Sequence, residues 1–144
     1  MHTGPDRQRW LRAVVLFGAV YFVAGIAFAA LASGAYSNSM RESWNRFGFL
    51  ISAVAFGLHI AYEHFRLRNS PWITAAHVSL AVALGAFALA VKANIHGYRG
   101  GSSNQRLLAF ALIAWPAITA IPAYVVSLIA GAALNLRQRA SHHR

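Results

Sequence analysis

Three ionisable side chains sit within otherwise apolar sequence at spacings that bring them together: His59, Glu63 and His77. His59 and Glu63 are one helical turn apart and share a face. That face continues backwards through Ala55, Ser52 and Gly48, so the stripe is small at one end and ionisable at the other. His77 belongs to a second stripe, Thr74, His77, Ala81, Gly85, Ala88, Lys92 and His96, with a small centre and polar ends. Only the short turn from Arg66 to Ser70 separates the two segments, which makes them antiparallel neighbours. At 1.5 Å rise per residue, His59 lies about 10 Å below Arg66 and His77 about 8 Å below Trp72. Equal depth sets the two imidazoles opposite each other, with Glu63 one turn from His59. His64, about 140° round the helix from His59, falls off the shared face.

Such a cluster has three chemical uses. A histidine pair from two helices can ligate a b-type haem through both axial positions or contribute to a metal site. A His–Glu–His group can hold or relay protons, because histidine titrates near neutrality. The plainest use is a hydrogen-bonded clamp between helix ends, and a depth of only two turns favours it. A second bis-histidine pair, which would strengthen haem, is absent from the sequence: His96 lies at the other end of its segment, and His142 and His143 have no ligand spacing. Lys92 reads as a snorkelling interfacial residue.

The elements that position this cluster are four apolar stretches, roughly 11–33, 47–65, 72–92 and 107–136. Each is near or above the roughly 20 residues that cover a bilayer core. They lack the alternation of strands and are rich in Ala and Leu. The expectation is an all-α integral membrane bundle of four transmembrane helices, up-down-up-down, in one domain. Polar connections are expected at Tyr36 to Arg46, Arg66 to Ser70 and His96 to Arg106, the last with Gly97, Gly100, Gly101, Ser102 and Ser103. Ala53, Gly57 and Ala61 form a further small stripe, and contact between spans two and three is expected at Ala53, Gly57, Ala81 or Gly85. Span four carries Pro116 and Pro122, each of which removes a backbone donor and can kink or break the helix; a kinked helix is the commoner outcome. Ala30-Leu31-Ala32 after a basic head has the outline of a signal-peptide cleavage site, but the apolar run is longer than a signal core.

Composition bounds the rest. Hydrophobic residues make up 58% of the 144 and charged residues 11%, against about a quarter charged in a soluble domain. Cysteine is absent, which excludes disulfides, thiolate metal sites and c-type haem attachment. The net charge of +10 comes from arginines that flank the spans, so it points to anionic lipid head groups and topology, not nucleic acid. Lys and Arg number eight on the side of the termini and five on the other, which places both termini in the cytoplasm. There is no Walker loop, HExxH, GxSxG or catalytic carboxylate pair. The leading functional expectation is therefore a non-enzymatic structural, accessory or assembly subunit of a cell membrane, packing with itself or with partner subunits. The alternatives are a small oligomeric carrier or proton conductor, and a b-haem or metal-binding redox subunit using His59 and His77.

Overall fold

A computed structural model describes the backbone of residues 5–100 and 105–142 and the side chains of residues 8–100 and 106–137. The expectations for Gly101, Ser102, Ser103, His142 and His143, and for the arginines nearest the termini, fall outside those side chains. Among the described residues the chain forms four helices and no strand: α1 (Pro5–Ser33), α2 (Asn38–Ala61, continued by a π-helical turn Tyr62–Arg66), α3 (Pro71–Arg99) and α4 (Gln105–His142). All four are long and apolar enough to cross a membrane.

The helices start where the sequence supplies caps. Ser37 accepts the Met40 N–H at 3.1 Å and opens α2. Ser70 accepts the Ile73 N–H at 3.5 Å ahead of Pro71, whose fixed φ suits the first helical position. Two expected connections are largely helical instead. α2 begins at Asn38, so most of the polar stretch before Arg46 is helix, supported by an i,i+4 pair between Arg46 and Glu42 at 2.7 Å. α3 runs on to Arg99, past the expected end near Lys92. A cap and satisfied i,i+4 pairs carry a helix beyond its apolar core, so hydropathy underestimates its length.

The order of packing differs from the expected one. α1 lies against both α2 and α3, α4 lies against α3, and α2 and α3 touch each other little. Phe17 stacks on His59 while Phe28 reaches Gly48 and Trp44, so α1 and α2 are antiparallel. Trp10 meets His77, Gly18 meets Ala81 and Leu84, and Gly25 meets Leu89, so α1 and α3 are parallel. Asn94 bonds Leu108, and Gly131 abuts Pro71, so α4 returns antiparallel to α3.

Contact between spans two and three at the small stripes is thus corrected. A Cβ on Gly85 would lie 2.8 Å from Tyr21 Cβ and 3.0 Å from the Gly18 carbonyl oxygen, both on α1. A Cβ on Gly48 would lie 2.9 Å from Phe28 Cβ, also on α1. Nothing lies within 4 Å of a Cβ on Gly57, which is exposed together with Ala53. The two small stripes are real packing surfaces, but each receives α1, whose bulky residues fill what two small faces would leave open.

Pro116 and Pro122 do not break α4, which is helical throughout its described length. Each proline costs one backbone donor, and the Thr119 hydroxyl adds bonds to the carbonyls of Trp115 (2.9 Å) and Pro116 (3.1 Å) in the same stretch. The outer surface of the bundle is apolar. Leu16, Phe49, Ile113, Ile118 and Ile121 are each more than 60% exposed.

Candidate functional site

The end of α2 determines where Glu63 goes. The Leu67 N–H donates to the Tyr62 carbonyl at 3.3 Å, five residues back, which widens the last turn. Arg68 then takes a left-handed backbone (φ 53°), and the Asn69 N–H returns to the Glu63 carbonyl at 3.2 Å. π-turns of this kind are rare and recur at functional sites. The widened turn also leaves His64 buried, with its ring edge against Phe65.

His59, Glu63 and His77 converge. Glu63 is fully buried, and its Oε2 accepts from Asn69 Nδ2 at 2.5 Å and faces His77 Nδ1 at 3.0 Å. With the proton on Nδ1, His77 is the donor to an ionised Glu63; with the proton on the carboxyl, the roles reverse. Glu63 Oε1 lies 3.7 Å from His59 Nε2, outside hydrogen-bond range. α1 supplies a wall for both rings. Trp10 stacks on His77 with centroids 4.6 Å apart and planes 6° from parallel, and Phe17 stacks on His59 at 4.1 Å and 9°. Trp10 and Phe17 are two turns apart on one face of α1.

The cluster is unevenly satisfied. Both ring nitrogens of His59, Glu63 Oε1, His64 Nε2 and Thr74 Oγ1 are buried without a hydrogen-bond partner. A polar cavity of about 350 Å³ reaches the cluster from the end of the bundle, lined by Arg9, Trp10, Arg66, Asn69 and His77 among others. His77 retains some exposure there, whereas Glu63 has none. On the inner side, the faces of α2 and α3 continue as Ala55, Ala81 and Gly85.

A carboxylate alone in such a place is costly, by several kcal/mol even after relaxation. Two arrangements avoid the cost: an ionised Glu63 beside a protonated His77, or a neutral Glu63 beside a neutral His77. Either way the pair retains one proton, and His59 offers a place for another. Each imidazole is turned to the one carboxylate and stacked on a single aromatic ring of α1. Among the described residues, no group of three histidine or acidic side chains is spaced to hold a metal ion.

Trp10, Phe17 and Asn69 did not stand out in the sequence as parts of this cluster. Trp10 reads as an interfacial tryptophan and Asn69 as a turn residue, although a seven-residue aromatic spacing on span one is visible in retrospect. The other polar residues of the spans lie elsewhere. Lys92 and His96 are exposed at the opposite end of α3. There Asn94 donates to the carbonyls of Leu108 (2.7 Å) and Ala90 (3.0 Å), which ties α3 to α4. Comparison with known protein families, with characterised proteins and with solved structures finds no match.

Proposed function

We propose that this chain is an integral membrane protein, an accessory or assembly subunit without enzymatic activity, whose α1, α2 and α3 are joined at one end by a protonatable clamp. The membrane part of the reading is supported by the four long apolar helices and by their exposed faces, since soluble monomers rarely expose apolar patches on this scale. The start of α1 and the end of α4 lie on the side of the His59–Glu63–His77 cluster, and the arginine balance favours that side as the cytoplasmic one. The reading keeps α1 in the working protein, and its stacking on both histidines supports this.

One observation carries the proton reading. Glu63 is wholly buried, and one of its oxygens is shared between His77 on α3 and Asn69 in the turn, with His59 of its own helix beside the other. The cluster opens to one end of the bundle through a polar cavity, and its other side is apolar. That one-sidedness favours a proton-responsive clamp over a conduit through the membrane.

The test is nitrogen NMR of histidine-labelled protein in detergent. The Nδ1 signal of His77 is expected to carry the displacement of a bond to a carboxylate, with His96 as an exposed internal control. Glu63→Gln should shrink that displacement. A His77 signal identical in parent and variant overturns the proton reading. A reduced-minus-oxidised haem band in the same preparation would replace it with the redox alternative.

A further inference from the structure

The polar end of the bundle carries a second arrangement besides the buried cluster. Arg9 on α1 and Arg66 at the end of α2 line two cavities of about 350 and 420 Å³. Leu67 is a wall of both as well, so the cavities adjoin. Each is within the size range of small-ligand sites. Guanidinium groups are charged at every physiological pH, and their planar fork matches phosphate oxygens. No described acid neutralises Arg66. Glu42 pairs with Arg46 towards the other end of α2, and Glu63 is buried and bonded to His77 and Asn69. Arg66 therefore keeps a charge that calls for an anion, and Arg9 adds a second guanidinium to the same walls.

Depth and the remaining walls narrow the kind of anion. Arg9 lies one residue inside the apolar stretch Gln8–Ser33, and Arg66 closes the stretch Asn38–Arg66. Both stand where the head groups of a bilayer begin. The smaller cavity is not polar on every side, because Ile73 joins its wall. Ile73 leads along one face of α3 to Leu80 and Leu84, at steps of seven and four. These three side chains are between 40% and 50% exposed. A free anion makes no use of such a track, whereas an acyl chain does. A phosphate that carries acyl chains uses both the arginines and the track. His77 is where this site meets the buried one, since its Nδ1 faces Glu63 at 3.0 Å and its partly exposed ring is a wall of the smaller cavity.

We infer that Arg9 and Arg66 hold the phosphate of an anionic phospholipid beside His77, with an acyl chain along Ile73, Leu80 and Leu84. The inference rests on the membrane reading and gives the clamp a lipid neighbour.

The test is a titration of the protein, in an uncharged detergent, with short-chain phosphatidylglycerol. The ring-nitrogen NMR signals of Trp10 and His77 should shift saturably. Phosphatidylcholine of the same chain length should bind at least about tenfold more weakly, and inorganic phosphate should leave both signals in place. Arg66→Gln should weaken phosphatidylglycerol about tenfold, the equivalent of one hydrogen bond to a charged group. Arg41→Gln, an exposed arginine at the start of α2, should change nothing. Thermal melting checks that both variants fold, and the comparison of ligands in the parent needs neither of them. Equal binding of the two lipids would mean unselective boundary lipid and overturns the inference. Inorganic phosphate that binds as well as phosphatidylglycerol overturns it in favour of a soluble anion. An Arg66→Gln protein with the parent's affinity also overturns it. The His77 signal before any lipid is added reports the bond to Glu63 by itself, so the clamp stands or falls separately. A chain that stays in solution without detergent removes the membrane reading instead.

Discussion

Glu63→Ala tests the clamp most directly. The substitution takes the acceptor from His77 Nδ1 at 3.0 Å and from Asn69 Nδ2 at 2.5 Å. Each is a hydrogen bond to an ionisable group, worth about 1.5–3 kcal/mol, and both donors are left in a largely buried site. Against this, the variant no longer buries a carboxylate, which returns several kcal/mol of desolvation. Removing one partner of a buried pair costs about 3–5 kcal/mol in measured cases. The lower end, about 3 kcal/mol, fits here because His77 has the polar cavity beside it for water. Glu63→Gln keeps an acceptor for Asn69 and should cost about 1 kcal/mol. His77→Ala loses the same bond plus its stacking on Trp10, about 0.5–1.5 kcal/mol. The decisive quantity is the double variant. Once Glu63 is absent, His77 has little left to hold, so the pair should cost about 2 kcal/mol less than the sum of the singles. Reversible unfolding in mixed micelles, followed by circular dichroism as denaturing detergent is titrated in, reads the parent and all four variants. Additivity within about 0.5 kcal/mol, or a Glu63→Ala protein as stable as its parent, would show that the three side chains are neighbours without being a clamp.

Two further outcomes follow from the packing and the charge balance. Gly85→Leu should destabilise by about 1–3 kcal/mol, because its Cβ would meet Tyr21 and the Gly18 backbone of α1, whereas Gly57→Leu, facing open space, should be neutral or slightly stabilising; equal effects in the same micelle titration would mean that α1 is misplaced. Cysteines introduced at Ser37 and Ser70, both exposed, should differ in intact cells: an impermeant thiol reagent should label the first and spare the second, and the reverse pattern would invert the orientation.

The His59–Glu63–His77 cluster was legible in the sequence because its geometry is local. A four-residue step fixes His59 against Glu63, and a five-residue turn leaves little freedom in where His77 arrives. The position of α1 was not legible. Span one is apolar on every side, so no polar face marks its outward direction, and in a bilayer the contrast that orients a soluble helix is missing. Two small stripes were therefore matched to each other when each matches the large residues Phe17, Tyr21 and Phe28 of α1. The ends of α2 and α3 were misjudged for a related reason: hydropathy measures where lipid ends, whereas capping by Ser37 and the Glu42–Arg46 pair decide where helix ends. Asn69 depends on the π-turn and on the left-handed Arg68, neither of which has a sequence signal strong enough to read.

The bond from Glu63 to His77 spans fourteen residues of chain, and this has a consequence for biosynthesis. A ribosome adds about 5–20 residues per second, so the two groups leave it within roughly 1–3 s of each other. A hairpin of α2 and α3 that closes on this bond would set the carboxylate beside its partner as soon as both have emerged, with the stacking rings of α1, made earlier, already there to receive them.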